Sequence, residues 1–520
     1  MLLAQNRGLT SPHKLKEFLN PTLEQIFKVK LSNLEKGKER VIRAIKNKEK
    51  IIVYSDYDAD GLCATAIMWE TLNDLGAAVL PYVPHRITEG YGLSNEAISK
   101  LAKEGTGLIV TVDHGVTALT QIEHAKKLGV DIVVTDHHVL PKMPPKPYAL
   151  VHTTALCGAG VSWRFCYEVV KSQNPSYVNL LEEKLELAAL ATIADLVPLI
   201  DANRAIVKLG LEKLTVTKRP GIKALIKASG ISTSIGTYEI GHIIAPRINA
   251  MGRIEHGIDS LRLLCAKSQD KADQLAHLLT KTNTRRQDLT QKAIEHARTQ
   301  VSEQEVIGVI AHESWHEGVI GLVASRLVET FYRPMIVISK GGVFSKGSAR
   351  SIPGFNIVEA IRSSSEFLVD GGGHPMAAGF TIETRHIEIF RENINKYAQK
   401  YLDEKLLTPQ LEIECELNRA DINNQTLKVI QELAPFGAGN PQPLFLTRSM
   451  IVEDVRSVGT DAQHLKLQVD GCDAIGFNLG NLRANLRPGY KVDLVYSLAE
   501  DKYNGNQKVE LKIKDLKIVN

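Results

Sequence analysis

Lys50-Ile51-Ile52-Val53-Tyr54-Ser55-Asp56-Tyr57-Asp58-Ala59-Asp60-Gly61 joins an apolar run of strand length to three aspartates at alternate positions. The same joint recurs twice. Leu108-Ile109-Val110-Thr111-Val112 ends in Asp113-His114-Gly115, and Ile132-Val133-Val134-Thr135 ends in Asp136-His137-His138. A further apolar run spans Ala77 to Val83, and helix-like segments lie at Gly61 to Leu75, Asn95 to Lys103 and Leu119 to Leu128. This alternation predicts an α/β domain whose parallel sheet carries helices on both faces. The carboxyl ends of such strands share one edge, and ligands bind in the crevice there. Asp195 adds a fourth site of acid, ending the helix-like stretch Leu185 to Ala194 ahead of Leu196-Val197-Pro198.

Six carboxylates brought to one crevice repel one another, so some must be protonated or cations must neutralise them. Oxygen ligands with one or two imidazoles suit Mn²⁺ or Mg²⁺ better than structural zinc. Two such ions about 4 Å apart activate a water and stabilise the leaving oxygen of a phosphoester. The plainer explanation is that each acid caps the helix that follows it. Capping accounts for any one aspartate, but it does not call for Asp-x-Asp-x-Asp together with Asp-His-His.

The rest of the chain is organised around this unit. At 520 residues it exceeds a single core, and about three or four domains are expected. A composition of 44% hydrophobic and 23% charged residues is that of an ordinary soluble protein. No apolar run reaches the length of about 18 residues that a membrane span needs. The opening Met1-Leu2-Leu3-Ala4-Gln5-Asn6 is too short an apolar patch for a signal peptide, which points to the cytoplasm. Six scattered cysteines without a Cys-x-x-Cys pair read as reduced thiols. A net charge of +4 permits a nucleic-acid partner without requiring one. From Gln269 to Ser302 there is neither Pro nor Gly, and a continuous helix there would be about 50 Å long. A second α/β unit opens with Val306 to Ile310. Beyond residue 408 come β-rich runs at Leu411 to Leu417, Leu444 to Val455, Leu465 to Val469, Val492 to Ser497 and Val509 to Ile518. Asn504-Gly505 is a hairpin signal between the last two. Five or so strands in this span suit a small barrel, with the oligonucleotide-binding (OB) fold as the leading candidate.

The four acidic segments resemble the motifs of the DHH phosphoesterases. That resemblance implies that Asp58, Asp60, Asp113, His137 and Asp195 hold two Mn²⁺ or Mg²⁺ ions, with Asp113 bridging them. His138 would then face the scissile phosphate, supported by Asp56 and Asp136. Further motifs resemble the RecJ branch of the family, whose members degrade single-stranded DNA from the 5′ end. These are Pro84-His85-Arg86 with Glu89-Gly90-Tyr91-Gly92-Leu93, Pro246-Arg247-Ile248-Asn249-Ala250-Met251-Gly252-Arg253, Gly347-Ser348-Ala349-Arg350-Ser351, Gly371-Gly372-Gly373-His374 and Pro435-Phe436-Gly437-Ala438-Gly439-Asn440-Pro441.

The implied organisation is an N-terminal segment (1–40), a DHH domain (41–205), a helical region with the long connecting helix (206–304), a DHH-associated domain (305–407) and an OB domain (408–520). Arginine forks recognise phosphate, so Arg86, Arg253 and Arg350 are candidates for the backbone. The resemblance adds Ser348 to Arg86 and Arg350 as a 5′-phosphate pocket. Gly372, Gly373 and His374 would approach the substrate closely. A lone loop arginine is more often a solvated charge, Gly371 to Gly373 could be a flexible turn, and His374 could be structural. Phe445, Phe477, Tyr490, Tyr496 and Tyr503 are the aromatics available to stack bases, core being the commoner fate of each. A helicase and a single-strand-binding protein are the partners implied, and a monomer is expected. Two departures from the family pattern, Tyr54-Ser55 for His-Gly and His152-Thr153 for Asn-Pro, touch the hydrogen bonds behind the ligands. Two rival functions share the motifs: a phosphodiesterase of cyclic dinucleotides or short oligonucleotides, and an inactive scaffold of DNA replication. The first would have no purpose for the C-terminal barrel. The second class loses motif carboxylates, all of which are present here.

Overall fold

The computed structural model describes residues 2–86, 88–232, 234–302, 304–501 and 508–519. Five parallel strands form the first sheet: β1 (Lys50–Tyr54), β2 (Val79–Tyr82), β3 (Thr106–Val112), β4 (Asp131–Asp136) and β5 (Ala149–His152), in the order β2-β1-β3-β4-β5. Successive side chains of β1 enter different cores. Ile51 and Val53 pack with α1 (Ala59–Asp74), α2 (Gly158–Gln173) and α3 (Leu185–Ala194). Ile52 and Tyr54 pack with helices Asn95–Lys103 and Leu119–Lys127 on the opposite face. Both faces are therefore dry, as an apolar run without polar alternation requires. Strand β5 was not expected. It is only four residues long and follows the proline-rich stretch 141–147, which obscures its pattern.

Helix α3 reads Leu-Glu-Leu-Ala-Ala-Leu-Ala-Thr-Ile-Ala, apolar on all sides, and every residue through Ile193 is buried. It delivers Asp195 to the sheet's carboxyl edge. Helix α4 (Ala245–Ile254) contains the Pro246–Arg253 signature. The long helix α5 spans Gln269–Arg298, stopping four residues short of the expected Ser302, and at 30 residues runs about 45 Å.

The second sheet has the order β6 (Gly308–His312), β7 (Met335–Ser339), β8 (Phe344–Arg350), β10 (Ala377–Glu383), β9 (Leu368–His374), with only β6 and β7 parallel. Helix α6 (Ile320–Phe331) lies between this sheet and α5. Gly371 to Gly373 belong to the edge strand β9, so the flexible-turn alternative is corrected. A Cβ on Gly373 would meet the Ala377 carbonyl oxygen at 2.3 Å, which explains that glycine by strand packing, whereas Gly372 has open space beside it.

The C-terminal strands are β11 (Cys415–Glu416), β12 (Phe445–Val458), β13 (His464–Val469), β14 (Cys472–Gly476), β15 (Lys491–Glu500) and β16 (Val509–Val519). The order β12-β13-β14-β16-β15 closes by pairing of β15 with β12, giving a five-stranded barrel. The expected strand Leu411 to Leu417 is reduced to the two residues of β11. Strand β14 was missed although Asp470-Gly471, both at positive φ, announce its hairpin. The Asn504-Gly505 signal and Tyr503 lie outside the described residues. All six cysteines are free, four of them buried. Among the described residues no helix is long and apolar enough to cross a membrane.

Candidate active site

Strand order 2-1-3-4-5 reverses direction between β1 and β3, and a crevice opens at that switch point. Asp56 follows β1 and Asp113 follows β3, one on each side of it. Register fixes their level, since Tyr54 pairs with Thr111, and the Asp113 N–H donates to the Thr135 carbonyl at 3.0 Å. Asp113 sits at φ +66°, a strained conformation for a residue with a Cβ, and the residue is 2% exposed.

Three groups of side chains could each hold a cation: Asp56, Asp58 and Asp113; Asp60, His137 and Asp195; Asp113, His137 and His138. Asp113 belongs to two of them. Nε2 of His137 lies 3.1 Å from Asp113 Oδ1, 3.8 Å from Asp60 Oδ2 and 3.7 Å from Asp195 Oδ2. All five expected ligands are thus brought together. The capping alternative holds for one of them: Asp58 Oδ1 accepts from the Gly61 N–H at 3.0 Å as N-cap of α1, while remaining in the cluster.

Burial and mutual repulsion shape the charge of this cluster. Burial first, then the neighbouring carboxylates, pushes Asp56 and Asp113 well above the ordinary carboxylate range. Asp60 rises to about 7, although it accepts hydrogen bonds from Gly158 and Ala159 N–H, each 2.7 Å, at the start of α2. Asp195 rises to about 8 through burial and the charges of Asp60 and Asp58. Burial lowers His137 to about 4, so its imidazole is neutral and free to ligate.

Asp136 behaves differently. Burial works to raise it, but a hydrogen bond from His138 Nδ1 (2.8 Å), the His138 charge, and the backbone N–H groups of His138 and Val116 hold it ionised. Burial in turn opposes charge on His138, yet the Asp136 partner lifts it to about 9. His138 is therefore a cation facing the crevice.

Oδ1 of Asp113 is buried without a hydrogen-bond partner, at the point shared by two of the three groups. A buried acceptor with no donor calls for a positive species. Six carboxylates and a neutral imidazole fit two divalent cations of the Mn²⁺ or Mg²⁺ type.

The remaining expected residues surround the cluster. The guanidinium of Arg86 lies over the Tyr57 ring, 5.0 Å from its centroid. Arg253 points to the Gly318 carbonyl at 3.4 Å, between α4 and the start of α6. Arg350 donates from Nε to Ser325 Oγ at 3.2 Å, with Ser348 Oγ 3.5 Å from Nη1. His374 stacks on His138, ring centroids 5.9 Å apart at 20°, so β9 reaches across to the first domain.

Several contributors escaped the sequence reading. Asn249 Oδ1 accepts from the Ala59 N–H at 2.7 Å, and a Cβ on Gly252 would meet the Tyr57 carbonyl oxygen at 2.4 Å, so α4 clamps the first motif. Both lie in the quoted signature, whose composition says nothing of what it touches. His152, one of the departures, donates to the His138 carbonyl at 2.8 Å and so supports the DHH turn. Gly158, beside Asp60 and Asp113, carried no signal in the sequence at all.

Comparison with known proteins agrees with this geometry. Residues 50–192 match the DHH family N-terminal domain, residues 301–400 the DHHA1 domain and residues 413–515 the RecJ OB domain. The single-stranded-DNA-specific exonuclease RecJ of Bacillus subtilis is 36% identical over 99% of this chain and 67% of its own length. The protein of the same name from Thermus thermophilus is 33% identical over 96% and 73%, and that from Escherichia coli 30% identical over 99% and 95%. The crystal structure of RecJ in complex with Mn²⁺ from Thermus thermophilus superposes with a TM-score of 0.88 at 31% identity, covering 100% of this chain and 76% of that one. With three matching domain models in this order and near full-length identity above 30%, the chain belongs to the RecJ family of DHH phosphoesterases.

Proposed function

We propose that this protein hydrolyses single-stranded DNA from its 5′ end, one nucleotide at a time, with two Mn²⁺ or Mg²⁺ ions. The carrying observation is the partnerless Oδ1 of Asp113 amid five further carboxylates and His137, beside Arg86, Arg253 and Arg350, which make no ion pair among the described residues. Asp58, Asp60, Asp113, His137 and Asp195 hold the ions, which supply a nucleophilic water and neutralise the leaving oxygen when bound. Asp56 and Asp136 support them. Asp136 keeps His138 charged, and His138 holds a non-bridging oxygen of the scissile phosphate. Arg86, Ser348 and Arg350 receive the 5′-phosphate, and Arg253 holds a backbone phosphate. Gly372, Gly373 and His374 line the path on the β9 side.

The division into 1–40, 41–205, 206–304, 305–407 and 408–520 then has a working sense: two lobes enclose the crevice and the barrel extends the strand's path. Phe445 and Tyr496 are core residues of the barrel, whereas Phe477 and Tyr490 are 51% and 40% exposed and are the aromatics available to stack bases. The setting is cytoplasmic DNA repair and recombination, where a helicase or a single-strand-binding protein would present the strand to a monomeric enzyme.

The test uses a 5′-phosphorylated single strand labelled at its 3′ end, with Mn²⁺, with chelator, and with Asp113→Ala. Shortening from the 5′ end, lost with chelator and in the variant, supports the reading. Intact DNA alongside rapid cleavage of dinucleotides overturns it in favour of a short-oligonucleotide phosphodiesterase. Tight binding with no cleavage of either substrate overturns it in favour of a scaffold.

A further inference from the structure

Among the described residues, Arg86, Arg247, Arg253, Arg286 and Arg350 make no ion pair. Elsewhere in the chain the arginines Arg219, Arg285 and Arg326 each hold a carboxylate. Burial lowers Arg253 to about 10, helped by the charges of Arg86, Arg286 and Arg350, while Asp58 draws it the other way. Burial also lowers Arg286, which feels the charge of Arg247. Arg253 is therefore the member near the acids, and Arg286 links it to Arg247. Only Arg86, Arg253 and Arg350 have a role in the reaction proposed above. Arg286 and Arg247 have none.

Their surroundings have the features of a site. Nε of Arg286 and Nε of Arg247 are buried and lack a hydrogen-bond partner. Arg247 is held by a hydrogen bond from Nη1 to the Ile243 carbonyl at 2.7 Å, which fixes the guanidinium without neutralising it. A cavity of about 500 Å³ between α5 and α6 is bounded by Arg286, Thr290, Ser325 and Arg326. Asp288 and Glu329 also border it. Glu329 is occupied by Arg326 at 2.5 Å, which leaves Asp288 as the acid on its wall. Ser325 lines the cavity and accepts the hydrogen bond from Arg350 Nε, so the cavity adjoins the 5′-phosphate pocket through this pair.

Adjacent guanidinium groups that repel one another and keep unpaired, buried N–H donors require an anion. The planar fork matches phosphate oxygens, and a run of several forks matches a run of phosphates. We propose that Arg286, with Ser325, forms an oligophosphate subsite that continues the 5′-phosphate pocket. It takes the outer phosphates of a 5′-triphosphorylated single strand, or the same group of a free oligophosphate. This rests on the reading that Arg86, Ser348 and Arg350 hold the first 5′-phosphate.

The experiment measures binding in chelator, so that nothing is cleaved, by anisotropy of 3′-labelled single strands ending in a 5′-monophosphate or a 5′-triphosphate. The full-length protein should bind the triphosphorylated strand at least about tenfold tighter, and Arg286→Gln should bring that ratio below about three. Arg286→Lys keeps the charge, loses the fork and should retain part of the gain. Inorganic tripolyphosphate is titrated as competitor. Displacement of the monophosphorylated strand that depends on Arg286, without a gain for the triphosphorylated strand, assigns the subsite to free oligophosphate. The proposal is overturned if wild type shows neither the gain nor the competition, or if both survive in Arg286→Gln unchanged. Degradation of the monophosphorylated strand with Mn²⁺ separates the two readings: if it proceeds from the 5′ end while both effects are missing, only the subsite falls.

Discussion

Gly158 has no chemistry of its own, yet it is the residue whose replacement should be most informative. A Cβ built there would lie 2.4 Å from Oδ1 of Asp113 and 2.6 Å from its Cβ and Cγ. Ordinary contact needs about 3.5 Å, so the Asp113 carboxylate must retreat by about 1 Å or α2 must move away. Retreat is blocked on the backbone side, because Asp113 is pinned at φ +66° by the Thr135 carbonyl. Movement of α2 would carry the Gly158 and Ala159 N–H groups away from Asp60. Either route disturbs two expected metal ligands together. A misplacement of about 1 Å in a reacting constellation costs about 100-fold in rate, whereas overpacking a buried site costs about 1–3 kcal/mol of stability.

Gly158→Ala should therefore fold, with a melting midpoint only a few degrees lower. It should lose about 100-fold in strand degradation and bind Mn²⁺ more weakly by calorimetry. Gly160→Ala is the control two residues along the same helix. Its Cβ would meet Leu156 Cβ at 3.1 Å and Ile206 Cδ1 at 3.4 Å and no carboxylate, so its metal affinity and rate should be retained. If Gly158→Ala keeps both Mn²⁺ affinity and rate within threefold of the parent, Asp113 is not the ligand that organises the centre.

Three other outcomes are expected. In metal-free protein the imidazole of His138 should titrate near 9 by NMR, and Asp136→Asn should lower it, because that carboxylate is the main group offsetting its burial. Metal-free protein should lose thermal stability as pH rises from about 4 through 8. Asp60 and Asp195 keep their protons when folded to about 7 and 8 but release them near 4 when unfolded, so the folded state is progressively disfavoured over that window. Added Mn²⁺ should restore more stability at pH 8 than at pH 5, and a flat profile in chelator would refute the crowding of these carboxylates. Phe477→Ala and Tyr490→Ala should each weaken single-strand binding by about 1–3 kcal/mol, read by anisotropy, with midpoints unchanged since both rings are exposed; equal losses from a conservative surface change elsewhere on the barrel would remove them from the strand's path.

The parts of the fold legible in the sequence are those where one physical signal dominates. Strands β1, β3 and β4 are buried on both faces, so they read as unbroken apolar runs, and each stops on the acid that the sheet edge presents. Helix α3 is apolar on every side because it is enclosed, and it points to Asp195. The signals weaken where context decides. Strand β5 has only four residues behind a proline-rich approach, and β11 is set by its neighbour β12 and not by the apolar run Leu411 to Leu417. The glycine run at 371–373 looks like a turn in isolation. Pairing with β10 makes it an edge strand, and the carbonyl of Ala377 makes Gly373 obligatory. The acidic cluster was legible because each acid follows a recognisable strand or helix. The clamp of α4 on the first motif, through Asn249 and Gly252, joins segments nearly 200 residues apart and could be seen only after folding.

The charge arrangement carries a further implication for stability. Acids and arginines stand within reach of each other in one crevice, as the pull of Asp58 on Arg253 shows, yet they do not pair. The acids meet imidazoles and backbone N–H groups, and the arginines meet hydroxyls, carbonyls and an aromatic face. Direct Asp–Arg pairs would satisfy both sets, although desolvation would offset much of the gain. Their absence leaves two oppositely charged surfaces, each short of its counterion. In the proposed function metal ions would answer the first and phosphate the second, and a phosphodiester strand with bound cations would answer both at once. Because such ligands bind the folded state alone, they contribute directly to its stability. On that reading the molecule is least stable when empty and gains stability when cation and strand bind.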